Sequence, residues 1–171
     1  MKVSLNVIKQ YLGFDLPPVD ELVARINAQL GGVEEVIDLG KRYEGATIAR
    51  IVTCQKHPDA DKLSVCEIDA GTGENVQVVC GAPNVRAGLW VVWLCPGSVV
   101  PASATDKEPF VLGERELRGV MSHGMLASPK ELGRGDSHDG ILEIAEADLH
   151  QGGTLLPGVS FAEVFGLDDC V

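Results

Sequence analysis

Three short stretches carry side chains that could do chemistry. His57, Asp59 and Asp61 alternate, a spacing that could offer an imidazole and two carboxylates to a metal ion, with Cys54 three residues upstream. Pro58 and the turn-prone composition favour a loop in which Asp59 or Asp61 bonds nearby backbone amides. No second ligand cluster follows at zinc-like spacing, so no metal is expected. Asp136-Ser137-His138-Asp139-Gly140 contains the residue types of a hydrolytic triad. A triad has to converge from separately positioned elements, which adjacent members of one surface turn seldom do, so the stretch reads as a turn. Residues 81–84, Gly-Ala-Pro-Asn, lack both the glycine pattern and the lysine of a phosphate-binding loop. No catalytic residue is expected anywhere in the chain, and His123 and His150 read as structural.

The elements that would position these residues fall into two patterns. Ser4 can cap a short helix carrying Leu5, Ile8 and Leu12, and Pro17-Pro18 introduces a second helix. There Val19, Leu22, Val23, Ile26 and Leu30 recur at helical spacing, Asp20 and Glu21 lie at the positive end, and Gly31-Gly32 supplies a left-handed stop. With a strand-like run over 33–39 this makes a unit too small to hold a core alone. The apolar stretch 155–167 is the expected packing partner. Between them lie short β-rich runs, predicted as strands near 46–54, 63–69, 76–80, 89–94 and 117–126. Ser128-Pro129-Lys130-Glu131 has the form of a capping box opening a short helix that Gly133 ends. Five short strands and a small helix over about 100 residues suit a closed or partly closed barrel of the oligonucleotide-binding type.

Charge is unevenly spread. The 171 residues hold 14 Lys+Arg against 25 Asp+Glu, a formal net charge of -11. Taken globally this argues against a nucleic-acid partner. Residues 1–40 carry 3 basic and 6 acidic side chains, residues 41–134 carry 11 and 11, and residues 135–171 carry 0 and 8. The middle is therefore neutral and the excess acid is C-terminal. Aromatics are only 5% of the chain, which limits large stacking platforms. Five cysteines without a CxxC pair suggest a reduced, cytoplasmic protein. Residues 87–105 hold no charge, but Gly88, Pro96, Gly97 and Pro101 would break a spanning helix, so no membrane segment is expected.

Several blocks resemble a known family. His57-Pro58-Asp59-Ala60-Asp61-Lys62-Leu63, Val65-Cys66, Val79-Cys80-Gly81-Ala82-Pro83-Asn84-Val85, Leu117-Arg118-Gly119-Val120, Ser122, Gly124-Met125 and Lys130-Glu131-Leu132-Gly133 are similar, in order, to the EMAP-II-like tRNA-binding domain. The flanks, Met1 to Asn6, Tyr11-Leu12, Val33 to Val36 and Phe165 to Val171, resemble the N-terminal region of bacterial phenylalanine-tRNA ligase β subunits, where such a barrel is inserted into a split domain. Ala127 stands where many relatives have cysteine, and Trp90 and Trp93 are bulkier than the usual aliphatics.

The resemblance implies an α+β fold: residues 1–40 as the first half of a split α/β domain, 41–150 as a five-stranded OB-fold barrel, and 151–171 as the start of the returning half. It implies a tRNA-binding piece of a longer ligase, with no catalytic site and no cofactor of its own, while ATP and magnesium serve the parent enzyme. The implied partners are tRNA, bound weakly by this piece alone, and the ligase α subunit. Lys56, Lys62, Arg86, Arg118 and Lys130 lie in or beside the family blocks and could track phosphates in a barrel groove. Arg118 is foremost, since strand alternation after Leu117 could point it into the groove. Arg50, Lys41 and Arg42 are weaker candidates. Each cation could equally be a solvated loop charge near Asp59, Asp61, Glu116 or Glu131. Two other readings stay open: a structural or subunit-interaction domain with little RNA contact, and a free-standing tRNA-binding protein of the same superfamily.

Overall fold

Alternating burial along Ala46–His57 makes this run, β1, the spine of the molecule. The computed structural model describes residues 2–150 and 153–171. β2 (Ala60–Asp69) pairs antiparallel with the second half of β1, placing Cys54 opposite Cys66, and a bulge between Ile51 and Thr53 bends β1. That bend lets the first half of the same strand pair with β4 (Trp90–Leu94), Ala46 opposite Leu94. β3 (Val76–Cys80) adds to β2 and β7 (Met125–Leu126) to β4, giving a five-stranded antiparallel sheet in the order β3-β2-β1-β4-β7. The sheet curls into a nearly closed barrel, so the α+β, five-stranded reading of the sequence holds.

The last predicted strand, 117–126, divides. β5 (Arg115–Leu117) and β6 (Val120–Ser122) form a separate hairpin, and only Met125–Leu126 joins the main sheet. Arg118 (φ +50°) and Gly119 (φ +83°) are the two central residues of the turn, both at the positive φ that twists a tight hairpin correctly. A non-glycine residue there costs roughly 1 kcal/mol. The expected helix after Ser128 is a single turn. Glu131 Oε2 accepts from Ser128 N (2.6 Å) and Oγ (2.5 Å), so the capping box is made, but Gly133 (φ +65°) ends it at once.

β4 is apolar at every position because both its faces are buried. Val91 and Trp93 point with Ala49, Ile51, Val78 and Leu126 into one cluster, while Val92 and Leu94 join Ala46 and Ile48 in a second. That second cluster is closed by Leu155, Phe161, Ala162 and Val164, three of them on helix α3 (Phe161–Val164). Phe161 is fully buried, edge-on to Tyr43 at 5.3 Å and tilted against Phe165 at 4.7 Å. The apolar stretch 155–167, expected to pack with the N-terminal unit, therefore covers the outer face of the barrel. Chain connectivity favours this: Ile48 N donates to Val159 O and Gly158 N to Ile48 O, both at 2.8 Å, stitching the segment to β1.

The N-terminal helices α1 (Leu5–Lys9) and α2 (Val19–Gln29) bury no residue completely. Residues 33–39 form no strand; only Asp38 bridges to Cys170, with Ile37 and Val171 exchanging backbone hydrogen bonds. Asp169 ties this end together. Its carboxylate accepts from Ser4 Oγ (2.5 Å) and Asn6 N (2.9 Å). Partial burial pushes its pKa up, but these hydrogen bonds to the charged form outweigh that and leave it below the usual Asp range. A carboxyl whose folded pKa is depressed contributes stability above its unfolded pKa and loses it as pH falls through the folded value. Lowering the pH through and below the ordinary carboxylate range should therefore release residues 4–6 while the barrel persists. Amide protection factors, exchange rates corrected for the intrinsic effect of pH, at Leu5 and Asn6 against Val92 check this, and an Asn6 protection factor unchanged between pH 6 and pH 2.5 would contradict it.

Candidate nucleic-acid interface

The sequence favours a loop capped by Asp59 or Asp61; in the structure His57 itself bonds the turn and acts as a strut. It is buried at the end of β1, and its Nδ1 accepts from Asp59 N at 3.0 Å. Because Nδ1 accepts, Nε2 carries the proton and donates to Leu117 O at 2.9 Å. Both ring nitrogens are thus engaged, and no lone pair is left for a metal. No group of three or more His, Cys, Asp or Glu side chains converges as a metal site among the described residues. Asp136, Ser137, His138 and Asp139 are all exposed, and no hydrogen bond joins their side chains among the described residues.

The strut sets the geometry of the cations. By holding Leu117, His57 brings the tip of the β5–β6 hairpin onto the β1–β2 turn, and Arg118 Nη1 approaches Asp59 O at 3.4 Å. Lys56 and Lys62 lie on the two arms of that turn. Lys56, Lys62 and Arg118 are therefore gathered at one end of the barrel, all exposed and none in an ion pair among the described residues. Arg118 reaches this place from a turn apex and not from a strand facing a groove. Asp59, Asp61 and Glu116 share the same end, so the local balance is neutral.

The other two candidates lie apart. Arg86 is gripped by Glu143, Nη1 to Oε1 at 3.0 Å and Nη2 to Oε2 at 2.9 Å, with its Nη1 also donating to Asn84 O. That fork raises the Arg86 pKa and lowers that of Glu143. Lys130 sits exposed in the capping turn after β7. Of the weaker candidates, Arg42 donates to Pro101 O at 3.2 Å and lies over Tyr43, and Arg50 lies over Trp90. Both are occupied within the fold.

Sequence reasoning missed a second feature. β3 and β6 meet without a regular ladder, and beside this seam a cavity of about 380 Å³ opens between β3, the β5–β6 hairpin and the turn at 128–131. Its rim carries Arg115, whose guanidinium lies 5.7 Å over the half-exposed ring of Phe110. Phe110 stands outside every block of the resemblance, and an Arg–aromatic pair five residues apart in a loop has no periodic signature. No helix among the described residues is long and apolar enough to cross a membrane; the uncharged run 87–105 is β4 and the loops around it.

The chain resembles known proteins over nearly its full length. It is 41% identical over 170 residues to a phenylalanine-tRNA ligase β subunit of Novosphingobium aromaticivorans, covering 98% of this chain and 20% of that protein. Identity is 42% over 173 residues to the same subunit of Rhodopseudomonas palustris, covering 100% and 20%. With that of Symbiobacterium thermophilum it is 39% over 171 residues, covering 100% and 18%. The chain thus spans about a fifth of the length of these relatives. Among solved structures, a MetRS-related protein from Pyrococcus horikoshii superposes with a TM-score of 0.41 at 17% identity, over 78% of this chain and 92% of that one. The family described as putative tRNA binding domain matches residues 46–152, the barrel with its hairpin and the cation-bearing end, and the chain belongs to that family.

Proposed function

We propose that this chain binds tRNA weakly through the barrel end carrying Lys56, Lys62 and Arg118, as a non-catalytic part of a longer phenylalanine-tRNA ligase β subunit. The observation that carries this reading is the convergence, at one end of a barrel whose family is named for tRNA binding, of three cations that make no ion pair among the described residues. Glu163, Asp168 and Asp169 follow the segment that is bonded to the start of β1, whereas Lys56 and Lys62 lie at its other end, which favours approach of RNA at the cation-bearing end. With cations and carboxylates balanced there, the affinity belongs in the non-specific range, a Kd of about 10⁻⁴ to 10⁻⁶ M. Lys130 and Arg86 would add contacts only if the RNA reached across the barrel and, for Arg86, displaced Glu143.

Titrating labelled tRNA from low to moderate salt tests this. The affinity should fall steeply as salt rises, because each phosphate contact releases counterions. Binding indifferent to salt would refute an interface of this kind.

In this reading ATP and magnesium act elsewhere in the longer ligase, the α subunit is met through the full-length β subunit, and the setting is the cytoplasm. The division into 1–40, 41–150 and 151–171 belongs to the same proposal. It is supported by the bonds of Ser4, Asn6, Ile37 and Leu39 to residues 169–171, which bring the two flanks together beside the barrel.

A second reading, a scaffold that props other parts of the ligase, is favoured by a different observation. Tyr11 (84% exposed), Phe14 (68%) and Leu30 (84%) leave the N-terminal flank with bare apolar surface. No detectable tRNA binding at low salt would select it.

A further inference from the structure

The cavity at the β3–β6 seam has features that the cation cluster does not explain. In β3, Val76, Val78 and Cys80 are directly opposite Ile68, Cys66 and Ser64 of β2. Their backbone groups face β2, so those of Gln77, Val79 and Gly81 face the seam. Gln77 O accepts from His123 N at 2.9 Å, and Val79 N donates to Ser122 Oγ at 3.0 Å. Gly81, next in the row and solvent-exposed, is one of the residues lining the cavity, and its N–H has no hydrogen-bond partner among the described residues. Across from it, Glu131 spends Oε2 on Ser128, while Oε1 takes no hydrogen bond among the described residues. Leu112, Leu126 and Ile141 give the cavity an apolar floor, and Arg115 over Phe110 gives it a cationic, aromatic rim.

We infer that this cavity takes one unstacked nucleobase of the bound RNA, with Arg115 receiving the adjoining phosphate. This deepens the tRNA-binding reading and rests on it. A purely apolar ligand would leave the Gly81 N–H and the Glu131 carboxylate unpaired, at a cost a binding site rarely tolerates. A free phosphate would meet a carboxylate and an apolar floor. A heteroaromatic ring satisfies both edges: a ring nitrogen or carbonyl accepts from Gly81, an exocyclic amine or ring N–H donates to Glu131, and its faces meet the apolar walls. About 380 Å³ lies at the small end of the range for small-molecule pockets, which suits one base. Sequence-tolerant recognition by stacking and backbone contact is how single-stranded RNA is commonly held.

The test uses the ¹⁵N-labelled 171-residue chain, titrated at low salt with the tetranucleotide AAAA, with tripolyphosphate, and with tRNA. AAAA is expected to shift the Gly81 amide while tripolyphosphate leaves it in place. Phe110→Ala, at a half-exposed site that leaves the barrel core intact, should weaken AAAA binding about fivefold, the low end of what a stacked base contributes. Arg115→Gln should weaken it severalfold without abolishing the Gly81 shift. Binding of tRNA and AAAA with Gly81 unmoved, or with Phe110→Ala at parental affinity, overturns the base pocket and leaves the tRNA reading standing. A Gly81 shift produced equally by tripolyphosphate overturns it in favour of a phosphate site. If neither RNA binds at low salt, the tRNA reading and the pocket fall together.

Discussion

Replacing Lys56, Lys62 and Arg118 together by alanine is expected to weaken tRNA binding by roughly ten- to a hundredfold at low salt. Each of these side chains is exposed and makes no ion pair among the described residues, so each can offer its charge to a phosphate. An exposed charge contact is worth up to about 1 kcal/mol, and three remove about 1.5–3 kcal/mol. The salt slope should shrink by about 2 at the same time, since each lost phosphate contact releases fewer counterions. Arg86→Ala is the matched control. Its guanidinium is already bound by two carboxylate oxygens, so its removal should leave affinity within about twofold of the parent. Equal losses in the triple variant and in Arg86→Ala would mean that the chain attracts RNA only by diffuse charge. A triple variant that binds like the parent would remove the barrel end from the interface.

Phe161→Ala is expected to destabilise the chain by about 3–5 kcal/mol, the usual cost of truncating a large buried aromatic side chain. Phe161 is fully buried, touches Tyr43 and Phe165, and seals the cluster of Ala46, Ile48, Val92 and Leu94. Against a total stability of about 5–15 kcal/mol, such a loss leaves a marginal fold. Phe161→Leu keeps most of the volume and should cost about 1.5 kcal/mol or less, which makes the comparison measurable even where the alanine variant fails to fold. Urea unfolding followed by tryptophan fluorescence reads both, because Trp93 lies in the sheet that Phe161 covers and is itself buried. A loss below 1 kcal/mol for the alanine variant would show that α3 is a detachable flap and not part of the barrel core.

These two variants separate what alternation and spacing could show from what they could not. β3 was legible to the residue at 76–80, because a short apolar run between turn residues admits few other readings. α2 was legible from its helical spacing and the acids at its start. The run 117–126 misled because Leu117-Arg118-Gly119-Val120 reads as continuous β sequence. Only the positive φ at Arg118 and Gly119 makes it a hairpin, and arginine, unlike asparagine, gives no local signal for that conformation. The stretch 155–167 is apolar enough to need a partner, but which surface it covers depends on the outward-facing Ile48, Val92 and Leu94. Their exposure to that segment is a property of the curled sheet.

The candidate site divides in the same way. Types and order of residues were sufficient to single out five candidate cations and to point to a tRNA-binding family. They could not rank the cations, because pairing is settled by distances between segments far apart in the chain: Arg86 meets Glu143 across 57 positions, and the Arg118 turn meets Asp59 across 59. His57 gave no local sign of being a strut, a role it takes because Leu117 O, 60 positions away, lies 2.9 Å from its Nε2. By itself, then, the sequence determined β1 to β4, the neutral charge balance of residues 41–134 and the chemical repertoire, since these follow from local propensity and composition. Which charges stay free, which face α3 covers and where the β3–β6 seam leaves an unpaired N–H were decided only by tertiary structure, because each depends on atoms brought together by the closing of the sheet.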